Sequence, residues 1–297
     1  MTTTSLAPED AARQACAKLD LPTRGLTPVR AHATSVYALP AARAVVRVSR
    51  ADQHEHIARA VTLTRWLDDH GVPVTQPLDV PQPVTVHGFT VSFWHHYPQP
   101  SDAPVPDPEH LARILRQVHA LPPPPCTLPT YEPLSSLRTT VRASTSLSPS
   151  DRAWLLDRTE TLLATYAELD FPLGHGLIHG DAYPGNTLWD GKESLSLARL
   201  GDWDEAAYGP RELDLANTFQ GVRFGRTPAQ LRAFSAAYGY DLAQWPGTTT
   251  LVAIRDLHTL GSFVRRADRG DTEASAQLAY RLGSLQTGDA AASWRTY

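Results

Sequence analysis

The sequence predicts an α+β protein of two lobes: a small β-rich N-terminal lobe over residues 1–97 and a larger, mainly helical C-terminal lobe over residues 98–297. Short runs rich in β-branched and aromatic residues dominate the chain before residue 97. The segment YPQPSDAPVPDP then places five prolines in twelve residues, which favours a stiff, extended connector. Beyond it, apolar residues recur at helical spacing, so the boundary between the lobes is placed at this connector.

The N-terminal lobe begins with a short amphipathic helix predicted over residues 8–20. The segment VYALPAARAVVRVSR predicts two strands around a Pro-Ala-Ala turn. Residues 55–70 carry apolar side chains at helical spacing, and Gly71 marks the end of that helix. The segment VTVHGFTVSFW alternates apolar and polar residues on both sides of His87-Gly88, which predicts a β-hairpin.

Helix-start signals recur through the C-terminal lobe. Asp107-Pro108 opens one helix, and Ser148 is the predicted N-cap of another, followed by Pro149. Thr227 and Gln230 form a predicted capping box, and further helices are expected over residues 249–266 and 272–286. Ligand sites are common in clefts between lobes, so we expect a site of this kind here.

Composition excludes several classes of protein. Hydrophobic residues make up 42% and charged residues 20% of the chain, and the net charge is −4, so no global positive field favours nucleic acid. No apolar run reaches the length of a membrane span, and no signal peptide is recognisable. Two cysteines, Cys16 and Cys126, indicate neither a disulfide framework nor a Cys-based zinc site, which fits the cytoplasm. The oligomeric state stays open.

A dense polar cluster lies between two apolar segments in GLIHGDAYPGNTLWD, residues 176–190. His179, Asp181 and Asn186 fall in this cluster, and Asp202 ends the next apolar strand, LARLGD. Phosphoryl transfer uses such a set: one carboxylate orients and deprotonates a hydroxyl, and oxygen ligands hold Mg²⁺ on the phosphates. Since Mg²⁺ keeps several waters, one amide and one carboxylate suffice as protein ligands.

HGDAYPGN resembles the HGDxxxxN catalytic loop of the aminoglycoside phosphotransferase family, which is related to the protein kinases. GDWDEAAYGPRELDLA is similar to that family's downstream metal-binding segment, and VVRVSR, RWLDDHGVPV and VSFWHHYP fit its N-terminal lobe more weakly. The resemblance extends over nearly the whole chain. It implies a bilobal protein-kinase-like fold, with a nucleotide-binding lobe over residues 1–97 and a catalytic, substrate-binding lobe over residues 98–297.

The resemblance assigns roles to five residues of the two C-terminal motifs. Asp181 falls on the catalytic base, and Asn186 and Asp202 fall on the Mg²⁺ ligands. His179 falls on the histidine that braces the catalytic loop, and Asp214 on an acid that supports the same loop.

On the nucleotide side, the resemblance assigns the backbones of His95 and Tyr97 to the groups that bind adenine. Thr34 and Ser35 fall on the loop over the phosphates, and Arg47 falls on the phosphate-clamping residue.

Two positions of the N-terminal lobe depart from the family pattern. The clamping residue is usually Lys, but Arg47 stays charged and can bind phosphate through two N–H groups, so the role survives chemically. Its helix partner is usually Glu, but the register places Ala60 there. Either Glu55 replaces the missing acid or Arg47 acts unpaired; alternatively, Arg47 is a surface charge on a strand edge. Asp204 and Glu205 are interpreted as solvated residues or as supports behind the metal ligands, and His119 as a hydrogen-bonded core residue.

The function implied is an ATP- or GTP-dependent, Mg²⁺-dependent O-phosphotransferase that acts on a small-molecule hydroxyl, with an antibiotic as the leading acceptor. A kinase for a sugar or amino alcohol, a non-catalytic pseudokinase and a metal-dependent hydrolase are the alternatives. Residues 251–297 contain six arginines and five acids, whereas a polycationic acceptor calls for an excess of carboxylates. With Trp245, Phe263 and Tyr280 as expected aromatic surface, this balance predicts a hydroxylated acceptor of low positive charge.

Overall fold

The computed structural model describes residues 6–31, 34–102, 104–191 and 195–295. Its α-helices, numbered in chain order, are α1 Pro8–Lys18, α2 His54–Asp69, α3 Pro108–Ala120, α4 Ser135–Ala143, α5 Pro149–Ala167, α6 Glu212–Gln220, α7 Pro228–Tyr238, α8 Thr248–Ala267 and α9 Thr272–Gln286. Its strands are β1 Thr27–Ala31, β2 Ser35–Leu39, β3 Ala44–Arg50, β4 Val84–Val86, β5 Phe89–His95, β6 His175–Ile178, β7 Thr187–Trp189, β8 Ala198–Leu200 and β9 Ala207–Pro210.

The chain forms two compact units. The first unit comprises Met1–Pro106, Ala120–Leu128 and Pro184–Ala206, and the second comprises Asp107–His119, Pro129–Tyr183 and Ala207–Tyr297. The first unit contains the strand-rich N-terminal part and the second contains most of the helices, in agreement with the predicted α+β class. The predicted division of the chain at residues 97 and 98 stays a prediction.

A five-stranded antiparallel sheet of order β1-β2-β3-β5-β4 dominates the first unit. Alternation along β3 buries Ala44, Val46 and Val48 in the core beneath α1, and turns Val45 and Arg47 to the opposite face. On that face Val45 packs against a cluster of Ile57 and Val61 from α2 with Trp94 from β5. Arg47 therefore lies on a central strand and not on an edge, because β3 pairs with β2 on one side and β5 on the other.

A second, two-stranded ladder in the first unit holds the segment after the catalytic-loop motif. β7 pairs with β8 in antiparallel register, and Val74 bridges to Leu200 of β8. The Leu200 amide donates to the carbonyl of Pro73 at 2.8 Å, so β8 is attached to the chain that follows α2. The residues after β8 are thereby held in the same unit as β3.

The second unit is built around α8, which contacts α4, α5, α6 and α9. Leu251, Ile254, Leu257, Leu260 and Val264 are buried at helical spacing along α8, as the sequence pattern predicts. The short ladder β6–β9 lies in the same unit, and Ile178 at the end of β6 is fully buried.

The predicted helix caps are confirmed. The Ser148 side chain accepts the Asp151 amide, and Thr227 with Gln230 forms the reciprocal capping box. Helices α4 and α6, strand β1 and the ladder β6–β9 were not predicted.

Candidate active site

A cavity of about 380 Å³ opens in the first unit, within the size range of small-ligand pockets. Apolar side chains form most of its wall, and three polar side chains lie at one end. The apolar residues include Val36, Val45, Trp94 and Leu188. The polar end carries Arg47, Asn186 and Asp202, and Thr75, His95 at the end of β5, His96 and Tyr97 also line the cavity. An apolar wall with a charged end suits a planar base attached to phosphates.

The connection after β5 is fixed by hydrogen bonds to its neighbours. The His95 amide donates to the Gln76 carbonyl at 2.9 Å, and the Tyr97 hydroxyl donates to the Gln76 side chain at 3.2 Å. The Gln99 amide group donates to the carbonyls of Tyr97 and Trp189, and its oxygen accepts the Trp189 amide at 2.9 Å. These bonds attach the predicted adenine-binding segment to β7.

Asn186 and Asp202 lie together at the polar end because the chain segments that carry them are joined. The Gly201 amide donates to the Asn186 carbonyl at 2.9 Å, one residue before Asp202. Asp202 takes a left-handed backbone conformation, with φ 60°, two residues after β8. This conformation is uncommon for non-glycine residues, but aspartate adopts it more readily than most.

The donor chemistry at this end of the cavity fits Mg²⁺. Asn186 offers an amide oxygen and Asp202 a carboxylate, both hard oxygen donors, and the Asp202 side chain is 44% exposed. Within the described ranges, no group of three or more His, Cys, Asp or Glu residues could form a complete metal cage. A two-ligand set of this kind suits an ion that shares its coordination with phosphate and water.

Arg47 reaches this end of the cavity from β3 and binds two carboxylates. Its Nη2 lies 3.2 Å from Asp202 Oδ1 and forms a short contact with Asp204 Oδ2, while its Nη1 donates to Asp204 Oδ1 at 3.4 Å. Burial lowers the pKa of Arg47, but the charges of Asp204 and Asp202 outweigh burial, so the net pKa lies above the ordinary arginine value. Glu55 is exposed at the start of α2 and does not replace the missing helix acid, and Arg47 is not unpaired.

In the second unit, Asp214 holds the backbone of the HGD motif. Its buried carboxylate accepts the amides of His179 at 2.7 Å and Gly180 at 2.9 Å, and His119 Nε2 lies 3.0 Å from the same group. Burial raises the pKa of Asp214, but the hydrogen bond and charge of His119 outweigh it, so the pKa falls below the usual aspartate value. The support role of Asp214 stays a prediction, and His119 is confirmed as a hydrogen-bonded core residue.

The backbone of the HGD motif turns sharply at Gly180, just before Asp181. Gly180 has φ 82°, a conformation that glycine adopts without steric cost. The buried His179 ring accepts the Asp181 amide at its Nδ1 over 3.3 Å. The backbone is therefore held at the amide of Asp181 and at the amides of the two residues before it.

One residue of this site carries no sequence signal. Arg255 on α8 places Nη2 2.5 Å from Asp181 Oδ1 and Nη1 3.2 Å from the Gly180 carbonyl, with only 4% of its side chain exposed. It lies 74 residues from Asp181 in sequence, in a segment without a motif. Only the packing of α8 against the HGD segment reveals it.

Two arginines of α8 act on the half-buried His258 of the same helix. Arg255, then burial, then Arg265 lower the pKa of His258 to about 3, so this ring is neutral at physiological pH. The neighbouring Asp256 is buried and bonded to Gln220 and Arg223, so its charge is compensated.

Some predicted residues lie away from these groups. Thr34 and Ser35 stand at the start of β2 and are not among the residues that line the cavity; the Thr34 hydroxyl lies 3.5 Å from that of Ser49. The expectation that Trp245 and Phe263 offer surface to an acceptor is wrong, because both are buried: Trp245 bonds to the Asp170 carbonyl, and Phe263 packs under Arg281. Tyr280 is exposed.

Residues 26–248 match the model of the phosphotransferase enzyme family (APH). The chain belongs to this family. The match spans β1 to the start of α8 and includes both C-terminal motifs. The family predicted from those motifs is confirmed, as is an enzyme that transfers phosphate to a small-molecule hydroxyl.

Solved structures of small-molecule kinases share the fold. An amicoumacin kinase, solved with AMP-PNP, Ca²⁺ and its ligand, superposes with TM-score 0.73 at 14% identity, covering 92% of this chain and 91% of that one. A microcompartment-associated aminopropanol kinase gives 0.69 at 17%, covering 93% and 97%. A spectinomycin phosphotransferase with ADP and spectinomycin gives 0.63 at 16%, covering 95% and 93%. These similarities confirm the protein-kinase-like fold.

No curated protein matches the sequence. Among the helices in the described part of the chain, none is long and apolar enough to cross a membrane.

Proposed function

We propose that this phosphotransferase moves the γ-phosphoryl group of ATP or GTP to a hydroxyl of an antibiotic of low positive charge. The observation that carries the proposal is the presence of two preformed groups of residues, one suited to a nucleotide and one to an acceptor hydroxyl. A cavity with Arg47, Asn186 and Asp202 at its polar end suits a nucleotide with its metal. A braced loop presents Asp181, the only carboxylate of the HGD motif.

On the nucleotide side, the apolar wall receives the base, and the chain after β5 supplies its hydrogen-bonding groups. The His95 N–H already donates to the Gln76 carbonyl, so we assign the adenine contact at His95 to its carbonyl oxygen. At Tyr97 we assign the adenine contact to the backbone N–H. Thr34 and Ser35 remain assigned to the loop over the phosphates. Asn186 and Asp202 would hold Mg²⁺, which would supply positive charge to the phosphates.

On the acceptor side, Asp181 orients the hydroxyl and takes its proton. The hydroxyl oxygen forms a bond to the γ-phosphorus, while the bond from that phosphorus to the β,γ-bridging oxygen breaks and the nucleoside diphosphate leaves. Arg255 fixes the carboxylate of Asp181, and Asp214 and His179 fix its backbone. A base held in this way loses little freedom when the acceptor binds.

The acceptor class follows from charge. Residues 251–297 carry six arginines and five acids, so this segment has no excess of carboxylates. A polyamine sugar needs several carboxylates as partners for its ammonium groups, whereas an uncharged or weakly charged hydroxylated antibiotic does not. Similar folds in an amicoumacin kinase and a spectinomycin phosphotransferase support an antibiotic. The similar fold of an aminopropanol kinase favours the second candidate, a metabolite kinase.

Mass spectrometry of phosphate transfer tests the proposal. The purified enzyme, with Mg²⁺ and ATP or GTP, is offered uncharged glycosylated antibiotics, a kanamycin-like aminoglycoside, sugars and amino alcohols, with Asp181→Asn as the inactive control. We expect phosphorylated product from the uncharged antibiotics. Efficient turnover of the aminoglycoside alone would contradict the charge argument, and turnover of amino alcohols alone would establish the metabolite kinase.

A further inference from the structure

Within the first unit, Arg47 is paired with Asp204, which lies in the turn after β8 and not on α2. Asp204 receives Arg47 with both carboxylate oxygens, one on each terminal nitrogen. Asp202 contacts only Nη2, through Oδ1. Two parallel N–H···O contacts fix the orientation of a guanidinium, whereas a single contact lets it pivot. Asp204, and not Asp202, therefore sets the direction in which Arg47 points.

The local structure explains how Asp204 reaches Arg47. Residues Trp203–Glu205 form one 3-10 turn, and Trp203 is buried with its indole N–H donating to the Leu200 carbonyl at 3.1 Å. Helix α2 contacts this turn, and Ala60, at the position of the expected acid, is buried. The turn is thus packed between β8 and a helix that carries no acid at that position.

We propose that Asp204 is the positioning residue for the phosphate-binding Arg47, an inference that rests on the proposed function. Asp204 would take the role of the missing helix acid, which is to pair with the phosphate-clamping side chain. Asp204 touches neither phosphate nor metal in this scheme. It acts by holding the guanidinium at the polar end of the cavity, and Asp202 stays available for the metal.

A double-mutant cycle on nucleotide binding tests this role. Asp204→Asn, Arg47→Met, the double variant and the control Glu55→Gln are titrated by calorimetry with a non-hydrolysable ATP analogue, with and without Mg²⁺. We expect Asp204→Asn to weaken binding by about tenfold in both conditions, the scale for one charged partner of a partly buried pair. In the Arg47→Met background, the same change has no effect or tightens binding, because only repulsion between Asp204 and the phosphates remains.

Three other results of these titrations would contradict the inference, and each would point to a different role for Asp204. Tighter binding by Asp204→Asn alone would show that Asp204 only adds negative charge. A loss confined to the Mg²⁺ titration would make Asp204 a metal ligand, and an equal loss in Glu55→Gln would make the effect nonspecific. Melting temperatures identify a variant that fails to fold, and Asp204→Glu then replaces Asp204→Asn, with partial retention of binding expected. A wild type that binds no nucleotide would reject the proposed function itself.

Discussion

Two arginines bind acidic groups in the two units, and they differ in how the chain brings them there. Arg47 lies on a central strand with 18% of its side chain exposed, and both of its partners belong to one motif, the GDWD segment after β8. Arg255 lies on a helix with 4% exposed and binds the single carboxylate of Asp181. The proposed nucleotide side is built from a recognisable motif, whereas the proposed acceptor side depends on packing between segments that are distant in sequence.

The largest effect is expected at the base. Asp181→Asn keeps the shape of the side chain but removes the proton acceptor, so kcat should fall by about 10²–10⁴-fold. Steady-state kinetics on the acceptor found by the panel measure this loss, with the exposed Asp157→Asn as control. Near-normal turnover in Asp181→Asn would remove Asp181 from the chemistry.

Arg255 tests whether the acceptor side depends on its distant partner. Arg255→Met leaves Asp181 without the guanidinium that fixes one oxygen, so we expect kcat to fall by roughly 10–100-fold with little change in the KM for nucleotide. Arg255→Lys should recover part of the loss. The control is Arg158→Met, an exposed arginine on α5. A rise in nucleotide KM without loss of kcat would contradict the separation of the two regions.

Variants of Arg47 are expected to change nucleotide binding, whereas variants of Arg255 are expected to change kcat. Arg47→Ala should raise the KM for ATP more than Arg47→Lys does, by about tenfold against a few-fold, because Lys keeps the charge but loses the planar fork. Initial rates at varied ATP measure the difference. If both variants bind ATP like the wild type, Arg47 has no part in holding the phosphates.

The smallest effect concerns pH. The folded protein holds the pKa of His258 at about 3, against an ordinary value of 6.5, so unfolding takes up a proton between these values. The contribution of His258 therefore makes the free energy of unfolding fall as pH decreases from 6.5 toward 3. Urea titrations across this range should show a shallower fall for His258→Gln than for the wild type. Identical slopes would show that Arg255 and Arg265 do not set the local potential.

The sequence predicts those features that depend on residues close together in the chain. Periodicity and caps predict α2, α5, α7, α8 and α9, and the two C-terminal motifs place Asn186 and Asp202 at one end of a cavity. These features depend on local spacing and on short connections between strands.

Sequence reasoning failed where tertiary packing decides. Arg255 could not be distinguished from the other arginines of residues 251–297, since its partner lies in another segment. For the same reason Trp245 and Phe263 were expected on a surface and lie in the core. The partner of Arg47 was sought on a helix because the family pattern places it there, and the turn that supplies Asp204 was interpreted as a solvated or supporting segment.

The most direct test of the central claim, that the two regions serve nucleotide and acceptor separately, requires no knowledge of the acceptor. Calorimetric titration of a non-hydrolysable ATP analogue, with and without Mg²⁺, compares the wild type with Asp202→Ala and Asp181→Asn. We predict that Asp181→Asn binds like the wild type, whereas Asp202→Ala loses the Mg²⁺-dependent part of the affinity. Equal Mg²⁺ dependence in all three proteins, or equal loss in both variants, would contradict the account.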